Sequence, residues 1–279
     1  MRGLSDSQII MPGHSDIKTT DLSAMLSQKG SVADSVVIIP TYNERENIAA
    51  IIDAVQALAV AYDIIIVDDA SPDGTADIVR EKQAQYPGRI HLHERSGKLG
   101  LGTAYIEGFR IALNEQRYQY IFEMDADFSH NPADLIRLRE ACSNGKADVS
   151  VGSRYVSGVN VVNWPMGRVL MSYFASKYVR LITGMKIHDT TAGFVCYRRE
   201  VLATIPLELI RFKGYAFQIE MKLTAKNCGF TITEVPIIFV NRVLGTSKMS
   251  SSIFGEAMFG VIRLRLDSFF RKFPQKKQA

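Results

Sequence analysis

Cysteine is scarce: the chain carries Cys142, Cys196 and Cys228 among 279 residues, with no CxxC pair. An odd, widely spaced set argues against a disulfide framework or a zinc site and fits a reducing compartment. Long apolar runs are missing too, since none approaches the ~18 residues of a spanning helix. The first residues lack the charged-then-apolar layout of a signal peptide. A cytosolic protein without a membrane span of its own is therefore expected. Three signatures of other α/β enzymes are also absent. Where a dinucleotide site needs GxGxxG after the first strand, Pro40-Thr41-Tyr42-Asn43-Glu44 stands instead. The glycines of Lys98-Leu99-Gly100-Leu101-Gly102 come far too late for that role. No GxxxxGK[ST] P-loop and no GxSxG nucleophile elbow occurs.

What is present is ordinary in bulk and uneven in detail. Hydrophobic residues make up 47% and charged residues 22%, which excludes long disorder, a collagen-like repeat and a coiled coil. A chain of this length buries roughly 70–75% of its unfolded surface, enough for a substantial core. Net charge is +4. Between Ile253 and Ala279, six bases (Arg263, Arg265, Arg271, Lys272, Lys276 and Lys277) face only Glu256 and Asp267, so this tail carries the whole surplus. A uniformly basic nucleic-acid binder is disfavoured, whereas contact of one end with an anionic membrane fits.

Residues 1–35 are polar, without sustained period, and read as a flexible N-terminal extension. Order is expected from Val36-Val37-Ile38-Ile39, a β-branched run stopped by Pro40. Strand and helix patterns then alternate. Helices are expected over 48–62, 75–86, 103–115 and from Pro132, which suits a first helical position. Strands are expected at 64–67, 90–93, 120–122 and 148–151. This alternation implies an α/β domain with a mostly parallel central sheet flanked by helices. A loop over 158–165, a helix over 166–183, a helix over 217–228 and a strand over 231–235 complete the same domain, which is expected to run over 36–249. The remaining 250–279 reads as a basic amphipathic helix and tail, with Phe254, Met258, Val261, Ile262, Leu266 and Phe269 in its apolar stripe.

In doubly wound sheets, ligands bind beyond the carboxyl ends of the strands. Thr41-Tyr42-Asn43-Glu44, Asp68-Asp69 and Asp125-Ala126-Asp127 each follow a strand. Asp and Asn are common turn and cap residues, so one such cluster is bland, but three at equivalent places favour a site. The paired carboxylates of Asp125 and Asp127 suit Mg²⁺ or Mn²⁺, which bind through one or two carboxylates plus a substrate's phosphates.

Residues 37–47 (VIIPTYNEREN), 68–75 (DDASPDGT), 98–105 (KLGLGTAY) and 125–132 (DADFSHNP) closely resemble the family-two inverting glycosyltransferases. Residues 214–220 (GYAFQIE) and 245–249 (GTSKM) narrow the resemblance to the polyprenol (dolichol) monophosphate mannose synthase branch. It spans about Val36 to Met249. The resemblance implies a GT-A (Rossmann-like) nucleotide-sugar transferase fold and mannose transfer, with inversion, from GDP-mannose to a polyprenyl (dolichyl-type) phosphate. It implies that Pro40, Tyr42, Glu44, Asp68, Asp69 and Lys98 belong to the nucleotide pocket, and that Asp125, Ala126 and Asp127 form the metal and diphosphate segment. Some members carry Gln two residues after the second Asp, where this chain has Ser129. Arg154, Arg168, Arg242 and Lys248 match basic positions of the family and suit an acceptor phosphate. Asp189 either orients the acceptor or caps a turn. Gln218 and Glu220, two apart on a helix, cannot share a face. Glu220 either contacts the donor sugar or supports the site. His130 and His188 read as hydrogen-bonding loop residues.

A polyprenyl acceptor implies peripheral attachment to the cytoplasmic face of a membrane, with room for a separate anchoring subunit and no role for nucleic acid. Two rivals remain open: the same transfer from UDP-glucose or another nucleotide sugar, and a non-catalytic scaffold subunit of this fold.

Overall fold

The structure is a computed structural model that describes residues 32–241 and 252–277. Apolar runs become strands wherever both faces of the run meet a helix. β1 (Ser35–Thr41) pairs in parallel with β2 (Tyr62–Asp68), Val37 opposite Ile64 and Ile39 opposite Ile66. Alternate residues point to opposite faces, and both faces are buried, as the continuous apolar runs require. Val36, Ile38, Ile65 and Val67 pack with Tyr105 and Phe109 of α3 (Leu101–Asn114). Val37, Ile39, Ile64 and Ile66 pack with Ile48, Ile51, Ile52 and Val55 of α1 (Ile48–Gln56), and with Leu135 and Leu138 of α4 (Asp134–Ser143).

With α2 (Thr75–Gln85), β3 (Ile90–Glu94), β4 (Tyr120–Glu123), β5 (Val149–Ser153), β7 (Val195–Arg198) and β8 (Ile232–Pro236), the main sheet has the order β3-β2-β1-β4-β7-β5-β8. All neighbours are parallel except β7, which runs antiparallel to β4 and β5. The strand order reverses direction at β1, between β2 and β4, and the crevice at that switch point is where α/β sheets bind ligands. A small second sheet pairs β6 (Val161–Val162) with β9 (Phe239–Val240). α6 (Arg199–Thr204) follows β7. A third apolar cluster joins α5 (Met166–Thr183), α7 (Tyr215–Asn227) and α8 (Ser252–Phe270) through Val179, Ile219, Leu223, Val261 and Leu264.

Element ends differ from the sequence reading where tertiary pairing intervenes. The first helix stops at Gln56, not Tyr62, because Tyr62 and Asp63 are drawn into register with Ser35 and Val36. α3 starts two residues early, at Leu101, with the Gly102 N–H donating to the Lys213 carbonyl. A Cβ on Gly102 would lie 2.7 Å from the Phe212 carbonyl oxygen, so only glycine fits. Pro132 does not open α4: it sits in a turn, and its carbonyl accepts from Leu135 N–H before the helix starts at Asp134. The sequence reading contained no β7. Its four residues become a strand because they slot between β4 and β5.

Candidate active site

A cavity of about 410 Å³ opens at the switch point, lined from the ends of β1, β2, β4 and β5 and from the loops before α3, α5 and α7. Pro40, Tyr42, Glu44, Asp69 and Lys98 meet at one end. Lys98 holds its ammonium 4.7 Å from the centre of the Tyr42 ring, a cation–π contact that presents the ring and the charge together. Asp69 is aimed by Arg95, whose Nε donates to Oδ1 at 2.6 Å. The same guanidinium donates to Thr103 Oγ1 and to the Gly100 carbonyl, tying β2 to the start of α3. Sequence reasoning missed Arg95. Its only signal was a cation just past β3, too ordinary to single out.

Asp125, Ala126 and Asp127 line the cavity from beyond β4, the strand between β1 and β7. The Asp125 N–H donates to His130 Nδ1 at 3.2 Å, and the Ser129 N–H donates to Asp127 Oδ1 at 3.0 Å. Burial pushes the His130 pKa down to about 4, so the ring is neutral and able to accept. Phe128, between Asp127 and Ser129, has φ of 59°. Ala70 (φ 53°) and Asn43 (φ 55°) do the same in the loops after β2 and β1. Non-glycine residues rarely occupy this region, and each such residue costs of order 1–3 kcal/mol. Among the described residues no set of three His, Cys, Asp or Glu side chains could hold a metal by itself. Two hard carboxylates on one loop, facing a cavity with space for a diphosphate, fit a Mg²⁺- or Mn²⁺-type ion that takes its remaining ligands from substrate and water. Ser129 meets Asp127 through its backbone.

Arg154 and Arg168 line the other end. Arg154 is locked by Asp189, which accepts from its Nε and Nη2 at 2.7 Å each and from its backbone N–H at 3.0 Å. Arg154 Nη2 also donates to Thr191 Oγ1. Asp189 is wholly buried; burial raises its pKa, but the adjacent guanidinium and its hydrogen bonds leave it below the ordinary value. The geometry is neither of the two readings open for Asp189: it is absent from the cavity lining and instead holds Arg154. Arg168 Nη1 donates to Asn241 Oδ1 at 3.0 Å. Arg242 and Lys248 lie outside the described residues.

Two expected nucleotide-site residues are placed elsewhere. Asp68 does not line the cavity: its Oδ1 accepts from Thr41 Oγ1 and Ser71 Oγ, and its Oδ2 from Ser71 N–H, so it braces the loops after β1 and β2. Glu220 points away from the donor, because it stands on the opposite side of α7 from Gln218. It accepts the Arg211 and Phe212 backbone N–H groups and borders a separate cavity between α7 and α8. Gln218 does line the site. Its Nε2 donates to buried Glu123 at 2.5 Å, and its Oε1 accepts from Lys222. Lys222 is itself fully buried and donates to the Ala192 carbonyl at 2.6 Å, which holds the 189–193 loop against α7. Burial pushes the Lys222 pKa down and that of Glu123 up, each partly offset by the other's charge.

The glycosyl transferase family 2 model matches residues 36–205. The chain belongs to that family. It is 48% identical over 237 residues to a polyprenol monophosphomannose synthase of Mycolicibacterium smegmatis, covering 84% of this chain and 89% of the relative. It is 45% identical over 228 residues to an undecaprenyl-phosphate mannosyltransferase of Micrococcus luteus, covering 82% and 92%. Among solved structures, glucosyl-3-phosphoglycerate synthase from Mycobacterium tuberculosis, in complex with Mn²⁺, uridine diphosphate and glucosyl-3-phosphoglycerate, superposes with a TM-score of 0.62. That superposition covers 94% of this chain and 87% of the other at 17% identity, a likeness of fold. The family-two enzyme thus has the GT-A architecture expected from its sequence.

Proposed function

We propose that this chain transfers mannose from GDP-mannose to a polyprenyl phosphate with inversion, giving polyprenyl-phosphate mannose. The observation that carries the reading is a single cavity that gathers three chemically distinct sets of residues, presented in the order of their strands: Tyr42 and Asp69 beyond β1 and β2 with Lys98 over the Tyr42 ring, Asp125 and Asp127 beyond β4, and Arg154 beyond β5 together with Arg168. The names of the two relatives near half identity support mannose transfer to a polyprenyl phosphate.

In this reading the Tyr42 ring and the Asp69 carboxylate hold the guanine, and Lys98 faces the nucleotide's charge. Asp125 and Asp127 would hold a divalent cation, which supplies positive charge against the diphosphate leaving group. Gln218, fixed at both ends of its amide, faces the sugar between the two halves of the site. Arg154 and Arg168 receive the acceptor. A phosphate monoester has a second pKa of about 6, so it arrives largely ionised and needs positioning instead of a general base. Planar guanidinium groups supply that positioning, and Asp189 fixes the plane of Arg154.

The acceptor's lipid tail calls for a bilayer nearby, and the surface beside the arginine end is suited to one. α5 carries no acidic residue, includes Arg168, Lys177 and Arg180, and exposes Met166, Leu170, Phe174 and Leu181. Against it packs α8, which buries Val261 and Leu264 in the third cluster and leaves Phe259, Ile262, Leu266, Phe269 and Phe270 outside. Both stripes support a peripheral position on an anionic membrane surface, which this reading places on the cytoplasmic face. Among the described residues no helix is long and apolar enough to cross a membrane.

The test follows label from GDP-mannose into detergent-dispersed polyprenyl phosphate, with Mg²⁺, Mn²⁺ or EDTA. Divalent-dependent label in the lipid phase is expected. Transfer from UDP-glucose alone would overturn the donor assignment, and nucleotide binding without any transfer would point to a scaffold subunit.

A further inference from the structure

Lys222 is a charge inside the core. It lies on α7, is wholly buried, and has Met221 and Leu223 of the apolar clusters as chain neighbours. An ammonium carries three N–H donors. Those of Lys222 meet the Ala192 carbonyl at 2.6 Å, the Gln218 backbone carbonyl at 3.1 Å and Gln218 Oε1 at 3.2 Å. Gln218 Nε2 in turn donates to Glu123, which is also wholly buried. An ammonium can only donate and an ionised carboxylate can only accept, so the two charges dictate the orientation of the amide between them. Turned over, the amide would set its NH2 against the ammonium and its oxygen against the carboxylate.

Both elements that Lys222 joins belong to the cavity, because Thr191, Ala192, Gly193 and Gln218 line it. The 189–193 loop also holds the Arg154 guanidinium, through Asp189 and Thr191. Glu123 ends β4, the strand that leads into Asp125 and Asp127. A buried path thus runs from the Arg154 loop through Lys222, Gln218 and Glu123 to the strand that presents the carboxylate loop. Burying charge is costly, and apolar side chains of similar volume are often neutral or stabilising in place of buried charges. Stability alone therefore does not account for a lysine at this place in the core.

We propose that Lys222 is a positioning residue for the transfer reaction. It sets the Gln218 amide and the 191–193 wall at a fixed separation, so that donor sugar and acceptor meet in one geometry. This inference rests on the mannosyl transfer reading above. Tyr42, Asp69 and Lys98, which that reading gives to the nucleotide, stand outside the path.

Lys222→Met keeps an unbranched side chain and removes every donor. In transfer assays with the full chain it is expected to lower kcat at least about tenfold, since a misplacement of about 1 Å can cost about 100-fold. The acceptor KM is expected to rise through the loosened Arg154 loop, while GDP affinity, measured by calorimetry, stays within about twofold. Because the kcat loss runs through Gln218, adding Lys222→Met to Gln218→Ala should lower kcat little further, yet should still raise the acceptor KM. A lysine that merely stabilises the core would move the urea midpoint without producing that split. Should the single variant not fold, with Glu123 left as a lone buried charge, Glu123→Gln combined with Lys222→Met removes both charges and is expected to show the same kcat loss at unchanged GDP affinity. Wild-type kcat and acceptor KM in folded Lys222→Met, or kcat losses that simply multiply with those of Gln218→Ala, overturn the proposal while wild-type transfer is intact. Absence of transfer by the wild type overturns the functional reading, and this role with it.

Discussion

Asp189 shows how one buried carboxylate can shape a site it never enters. It spends both oxygens on Arg154, side chain and backbone, and is itself steadied by its own N–H donating to Glu234 Oε1 at 2.9 Å. Replacing it with Asn leaves a guanidinium that is largely buried without its counter-charge, so a loss of about 3–5 kcal/mol is expected, read as a lower urea midpoint. Its pH dependence has a definite sign. Because the folded-state pKa lies below the ordinary 3.8, the carboxylate's contribution is present above that value and is lost as pH falls through the folded pKa. The gap between wild type and Asp189→Asn should therefore hold between pH 5 and 8 and shrink only below about pH 3.8. Arg154→Lys, which keeps charge but not the fork, should weaken acceptor binding more than donor binding, visible as separate KM values. The sequence left Asp189 open between two roles because its partner lies 35 residues away. Glu220 could be excluded from sharing a face with Gln218, but its backbone partners Arg211 and Phe212 were not legible. The strand-end pattern singled out Tyr42, Asp125 and Asp127 and the family resemblance added Lys98, and all four line the cavity.

At the scale of elements, periodicity carries far when an element's partners are its chain neighbours. The strands at Ile64–Val67 and Tyr120–Phe122 and the helix over 166–183 follow directly from apolar pattern. β7 does not, since its direction is set by flanking strands distant in sequence. Helix packing gives a further test at Gly108 of α3. An added Cβ there would stand 2.5 Å from Ile38 Cγ2 on β1. Alanine gains about 1 kcal/mol of helix propensity over glycine. Overpacking of a filled core costs about 1–3 kcal/mol, and a contact this short falls at the upper end. Gly108→Ala is therefore expected to destabilise by about 1–2 kcal/mol in urea unfolding. A stabilised variant would mean that α3 can shift from the sheet without cost.

The whole molecule sets a nucleotide-type site at the switch point of its sheet, an arginine pair at the far end of the same cavity, and apolar surface on α5 and α8 beside that pair. Binding to vesicles containing anionic lipid should be detectable by co-sedimentation at low salt and should weaken as salt rises, while Phe174→Glu with Leu181→Glu should reduce it. Equal recovery of wild type and variant in the supernatant would count against this surface. The central claim is chemical, and product stereochemistry addresses it most directly. The enzyme would be supplied with GDP-mannose and polyprenyl phosphate, with and without EDTA and alongside Asp127→Ala, and the mannosyl lipid examined by NMR for its anomeric configuration. A mannosyl phosphate of configuration opposite to the donor's, formed only with divalent metal and lost in the variant, is the expected result. A product that retains the donor's configuration, or transfer that survives Asp127→Ala, would contradict it.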